Sequence, residues 1–239
     1  MAVVSAVRTD IGRRRAANED FFAADVPNGL FVVADGLGGH VAGRTASETA
    51  VKHFVEELAG RRASGNLALL RAAMRSANGA ILERAERQPF LRGMGTTLNA
   101  LWVNERRAIL AHVGDSRTYL MRAGRLHALT LDHSVVCELM FRRELDAESA
   151  RRHPNRHVIT RALGVAMSVE PDTTELETEP GDVFLLCTDG VTGPIPDAEL
   201  CVVLAGAPGD LQAALDRLID LANARGGHDN STAILVEIP

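Results

Sequence analysis

Three aspartates far apart in the chain stand in turn-like settings beside apolar runs: Asp35 in VVADGLGGH, Asp189 in VFLLCTDG and Asp229 in GGHDNSTAILV. A β-branched or leucine run that stops at Asp-Gly reads as a strand delivering a carboxylate to the edge of a sheet. The glycine lets the backbone turn tightly behind it. Hard divalent cations such as Mg²⁺ and Mn²⁺ prefer oxygen ligands, and carboxylates converging from separate strands are a common way to hold them. The expectation is a metal site assembled from the whole length of the chain.

Further candidates surround these three. In TDIGRRRAANEDFF, Arg15 precedes Glu19, Asp20 and an apolar strand. A guanidinium offers a planar fork that matches two phosphate oxygens and keeps its charge at any relevant pH. Arg15 is therefore a candidate phosphate ligand; the competing reading is that Arg13, Arg14 and Arg15 form a solvated basic turn. Alternation along a strand sends Glu19 and Asp20 to opposite faces, so only one of them faces a given site. In DGLGGHVAG the glycines permit close approach to an ion, so the Gly36 carbonyl is a candidate ligand beside Asp35. That loop has neither the GxGxxG nor the Walker pattern of nucleotide sites. His40 reads as a helix-start or hydrogen-bonding residue before it reads as a ligand. Asp115 in HVGDSRTYL begins a strand, where an Asx turn closing a hairpin is an equal reading.

The elements that must position these groups follow from hydrophobic spacing. Strands are expected over residues 3–7, 20–24, 30–34, 96–103, 107–113, 118–122, 183–187 and 232–238. Residues 42–58 repeat apolar positions at helical spacing through Ala46, Ala50, Phe54 and Leu58. Residues 67–85 do the same through Leu70, Met74, Ala77, Ile81 and Ala85. Consecutive strands separated by a few residues must pair antiparallel, because a parallel pair needs a crossover. The order of elements argues for a mixed fold with helices segregated onto sheets. The charged stretch DHSVVCELMFRRELDAESARRHPNRHVITRALG reads as a helical surface insertion, with Asp132 capping one helix, Asp146 a second, and Pro154 ending it. Residues 196–204 and 210–224 complete the helices.

Composition sets outer limits. A chain of 239 residues with 46% hydrophobic and 24% charged residues fits one large domain around one core. A net charge of −5 gives no electrostatic reason to bind nucleic acid or a membrane surface. The first residues lack the basic start and longer apolar core of a secretory signal, and no apolar stretch approaches a membrane span, so a cytoplasmic protein is expected. Cys137, Cys187 and Cys201 form no CxxC pair and read as reduced core thiols.

Taken in order, RAANED, DGLGGH, GMGTTL, AHVGDSRTY, LDHS, HPNRHVITRALG, LLCTDG and GGHDNSTAI resemble the succession found in bacterial metal-dependent protein phosphatases of the 2C type. The likeness runs from Asp10 to Ile238. It implies an α+β fold: a four-layer α/β/β/α sandwich of two antiparallel β-sheets flanked by helix pairs, with a helical flap at about residues 132–161. It also implies a two-metal centre of Mn²⁺ or Mg²⁺ at one end of the sandwich. Asp35 would bridge both ions, Gly36 would give a carbonyl, and Asp189 and Asp229 would complete the set. Asp20 would lie just outside or bind through water, Asp115 would belong to a third, weaker ion near the flap, and Arg15 would bind phosphate.

The implied chemistry is hydrolysis of phosphoserine and phosphothreonine by a water shared between two ions, with no protein nucleophile. Two departures stand out. Leu37 follows Asp-Gly where animal members have a histidine proposed as general acid, which leaves that role open among His40, His133, His153, His157 and solvent. Arg44 replaces a glutamate frequent in bacterial relatives and reads as a helix-surface change. The expected partners are phosphorylated proteins and a cognate Ser/Thr kinase, with the enzyme a monomer. The alternative is a pseudophosphatase or partner-binding module on the same scaffold, which the three retained aspartates argue against.

Overall fold

In the computed structural model, residues 3–39, 41–61, 65–104 and 106–239 are described. Two five-stranded antiparallel sheets stack face to face. One has the order β1 (Val4–Asp10), β12 (Ser231–Glu237), β11 (Val183–Cys187), β8 (Arg117–Arg122), β9 (Arg125–Ala128). The other runs β10 (Asp172–Glu177), β7 (Arg107–Val113), β6 (Leu98–Asn104), β3 (Leu30–Ala34), β2 (Phe21–Asp25). A two-stranded ribbon of β4 (Gly36–Leu37) and β5 (Gly95–Thr96) continues beyond β3.

Because side chains alternate along a strand, each central strand feeds two apolar layers. In β3, Phe31 and Val33 face the other sheet, while Leu30, Val32 and Ala34 face α1 (Val41–Leu58) and α2 (Leu67–Arg87). In β12, Ile234 and Val236 face inward, while Ala233 and Leu235 face α6 (Asp197–Ala205) and α7 (Leu211–Ala224). The interior is thus three apolar layers where composition had suggested one core. This is the α/β/β/α sandwich anticipated above. Strands that both faces bury are rich in apolar runs, such as LFVVA and VFLLC, although β6 and β12 carry buried polar residues in Asn99, Ser231 and Thr232.

The flap contains α3 (Val135–Phe141) and α4 (Ala147–Arg152). Asp146 caps α4 as expected, accepting the Glu148 and Ser149 N–H groups at 3.0 and 2.8 Å. Asp132 does not cap α3. Ser134 does so, its hydroxyl accepting the Cys137 N–H, because the Asp132 carboxylate is held by Arg117 at 2.6 and 2.7 Å. The expected strand 96–103 is broken into β5 and β6 at Thr97. The cysteines are free; Cys187 is buried, but Cys137 and Cys201 are only half-buried and so are not core thiols. Among the described residues no helix is long and apolar enough to cross a membrane.

Candidate active site

Strand directions gather the candidate groups at one end of the sandwich. Asp35 leaves the C-terminal end of β3, and Asp189 follows β11 by way of Thr188 and opens the short helix α5 (Asp189–Thr192). Asp229 lies in the turn that enters β12, and since Asp10 pairs with Ser231, the loop after β1 arrives at the same place. Asp35 and Asp189 approach closely enough to share a hydrogen bond. The Asp35 carboxyl is buried and senses the charges of Asp20, Asp189, Asp115 and Asp229, while Asp115 in turn senses Asp189. All five aspartates named from the sequence therefore converge.

The positions are enforced by backbone and hydroxyl contacts. The Thr97 hydroxyl accepts the Asp35 N–H at 2.9 Å, and the Thr96 hydroxyl and Thr97 N–H donate to the Asp35 carbonyl at 2.8 and 2.9 Å. Thr97 is also 2.8 Å from the hydroxyl of Ser116, next to Asp115. Asp20 receives hydroxyls from Thr232 at 2.6 Å and Thr188 at 2.9 Å on one carboxylate oxygen. Its other oxygen, Oδ1, is buried without a partner, as is Oδ1 of Asp189. Glu19 diverges from Asp20: its carboxylate packs against Gly43 of α1, so close that a Cβ there would lie 1.9 Å from it. At Gly36 a Cβ would meet the Gly43 carbonyl at 2.2 Å, so glycine is required at both positions for α1 to reach the ribbon.

Crowding so many carboxylates in a buried place is costly. Burial first, and the neighbouring charges next, push the Asp35 carboxyl well above its ordinary range and raise Asp189. Asp20 and Asp115 are each pushed up to about 7, burial being the main cause in both. Among the described residues Arg15 pairs directly with the cluster, donating to Asp229 at 2.5 Å. Orphaned buried oxygens and mutual repulsion are what a carboxylate site tuned to multivalent cations displays in the absence of those cations.

Sequence reasoning overlooked the groups that hold the aspartates in place. Thr188 and Thr232 stood inside TDG and NST, and Thr96 and Thr97 inside GMGTTL, with nothing in the sequence to separate them from ordinary strand residues. Asn230 binds the N-terminal loop, with Nδ2 donating to the carbonyls of Ile11 and Ala17 at 2.8 and 3.1 Å. Of the histidines considered as acids, His40 lies outside the described residues. His133 is buried in contacts at the flap root, His153 accepts the Asn155 N–H, and His157 is exposed with its charge felt at Asp189.

A second set of donor atoms lies nearby, where His112, His133 and Asp172 approach within 4.8 Å of one another. Their hydrogen bonds argue against a metal. Gly114 donates to Nδ1 of His133, so the neutral ring carries its proton on Nε2, which lies 3.2 Å from both Asp172 and Arg161. Arg161 already neutralises Asp172 at 2.9 Å. This trio fastens the flap to the sheet.

The Protein phosphatase 2C family profile matches residues 12–231. The chain belongs to that family. A relative, the serine/threonine phosphatase stp of Listeria welshimeri, is 40% identical over 237 residues, which is 96% of this chain and 94% of that protein. The serine/threonine protein phosphatase PstP of Mycobacterium tuberculosis is 40% identical over 98% of this chain and 44% of its own length. A crystal structure of PstP superposes with a TM-score of 0.91 at 38% identity, covering 100% of this chain and 99% of that one. The catalytic domain of PstP in complex with two manganese ions superposes with a TM-score of 0.90 at 37% identity, covering 98% and 97%. The 2C family accounts for the sandwich and for the end of it where the aspartates meet.

Proposed function

We propose that this chain is a metal-dependent serine/threonine phosphoprotein phosphatase whose centre is built from Asp35, Gly36, Asp189 and Asp229. In this reading Asp35, Gly36, Asp189 and Asp229 would hold two Mn²⁺ or Mg²⁺ ions, with Asp35 shared between them; Asp20 would lie at their margin or bind through water, and Asp115 would belong to a third, weaker site. The observation that carries it is the convergence of five carboxylates, two with buried unpartnered oxygens, opposite one arginine. That donor set is all oxygen, as hard divalent ions require. When bound, such ions supply the charge that offsets the carboxylates and acidify water to the point where it attacks phosphorus at neutral pH.

The chain's own residues do the rest. Arg15 is exposed on one side and pairs with Asp229 on the other, so its second edge is free to fork onto a phosphate. The Thr188 and Thr232 hydroxyls fix Asp20, and Thr96 and Thr97 fix the direction of Asp35. Cys187 is no nucleophile, since burial pushes its thiol up to about 12. The pseudophosphatase reading is not favoured, because no metal aspartate is missing.

We further assign residues 1–239 to one catalytic domain with a flap at 132–161. It acts as a cytoplasmic monomer against a cognate Ser/Thr kinase, which phosphoprotein hydrolysis presupposes. The test is phosphate release from a phosphothreonine peptide with added Mn²⁺. Chelation and Asp35→Asn should each abolish it, and the variant should melt higher than the parent in chelator because a buried repulsive charge is gone. Turnover that survives both treatments refutes the metal assignment.

A further inference from the structure

We propose that Arg13 and Arg14 form a subsite for a second anionic group on the substrate, a carboxylate or another phosphate flanking the phosphoresidue. The inference rests on the phosphatase reading above and adds a specificity to it. The loop that carries both arginines is pinned at the site. Asp10 pairs with Ser231, the Arg13 N–H donates to the Gly227 carbonyl at 2.7 Å, and Asn230 binds the carbonyls of Ile11 and Ala17. The stem of Arg13 lies against Gly227, where a Cβ would come within 2.7 Å of it. Arg13 and Arg14 are thus held two residues and one residue from Arg15, on backbone tied to the turn that presents Asp229.

Both side chains are exposed, and neither makes an ion pair among the described residues. The nearby acids are already engaged. Asp10 accepts the Gly12 N–H at 2.8 Å, Asp229 accepts Arg15, and Asp216 and Asp220 both accept Arg8. Their charge is therefore left for a ligand. A site lined with carboxylates in a protein of net charge −5 otherwise repels acidic substrates. Two uncompensated guanidiniums carried on that loop reverse the bias locally, and a pinned backbone lowers the entropic cost of using them. The competing possibility is a solvated basic turn that touches no substrate.

The test compares kcat/KM, with Mn²⁺, for three phosphothreonine peptides of one length: neutral flanks, glutamate flanks, and a second phosphothreonine. A small aryl phosphate, which has no flanks, serves as the baseline. The parent should favour the glutamate or doubly phosphorylated peptide over the neutral one by about 3- to 10-fold at low salt, as expected for two exposed charge pairs. The double substitution Arg13→Gln, Arg14→Gln should remove that preference while leaving the neutral peptide and aryl phosphate unchanged. Arg13→Glu with Arg14→Glu should make it less than one. Arg106→Gln, at the β6–β7 turn at the opposite end of the sheet, should change nothing. Preference for only one of the two anionic peptides identifies which anion is read. Equal turnover of all three peptides by the parent, or a preference that survives both double substitutions, overturns the subsite. Loss of aryl phosphate hydrolysis by the parent would instead refute the underlying phosphatase reading.

Discussion

Oδ1 of Asn230 accepts the Glu19 backbone N–H at 2.8 Å, joining positions 211 residues apart. The same side chain donates to Ile11 and Ala17, so one amide fastens the whole loop that bears Arg15 to the turn that bears Asp229. Replacing it with alanine leaves one buried N–H and two carbonyls without partners. Asn230→Ala should cost about 2–4 kcal/mol of stability, the usual penalty for unsatisfied buried groups. It should also raise KM, because Arg15 loses its fixed position. Urea denaturation and steady-state kinetics check the two effects, and a variant with parental stability would show the loop to be held by other means.

Arg117 makes a bidentate pair with Asp132 at the flap root, and its Nη1 donates to the Tyr119 hydroxyl at 3.1 Å. That hydroxyl in turn donates to Asp197 at 3.1 Å. Arg117→Lys keeps the charge but cannot reproduce the fork. The flap should then open more often, and limited trypsin digestion should cleave within residues 132–161 several-fold faster than in the parent while the sandwich stays intact. An unchanged cleavage rate would mean that the His133 contacts suffice to hold the root.

His112 stacks on His133 with ring centroids 4.3 Å apart and donates from Nε2 to the Leu131 carbonyl. Burial, then the neighbouring His133, holds its pKa down to about 4. Above pH 6.5 the ring is neutral whether the chain is folded or not, and stability is unaffected. As pH falls from 6.5 toward 4 the unfolded chain takes up a proton that the folded one refuses, so stability declines by about 3 kcal/mol over that window. His112→Gln can keep the bond to Leu131 without titrating. Metal-free unfolding curves of parent and variant should diverge by about 2.4 kcal/mol between pH 7 and pH 4.5, the aspartates cancelling in the difference. Parallel curves would place the acid sensitivity elsewhere.

Elements buried on both faces were legible because apolar runs such as LFVVA and VFLLC have no other stable use. The edge strands β9 and β10 were not. RLHA and DTTELE are largely exposed, so nothing in their composition separates them from loops. The aspartates could be read because a carboxylate after an apolar strand serves no core. Their hydroxyl supports could not, since Thr96, Thr188 and Thr232 are equally good strand residues and acquire their role only when distant strands meet. Asp132 was misread for a related reason: local capping competes with a partner 15 residues away, and the half-buried Arg117 wins.

The pairing of β1 with β12 along all seven residues carries a consequence for biosynthesis. Asp229, Asn230 and β12 emerge from the ribosome after the other elements of the site, yet they are what bring the first loop and its arginine to the other carboxylates. A nascent chain that has already made Asp35, Asp115 and Asp189 still lacks the partner that holds Arg15 beside them. Products of stalled translation or of clipping before Asp229 would therefore lack both the fifth aspartate and the tether that brings the first loop to it.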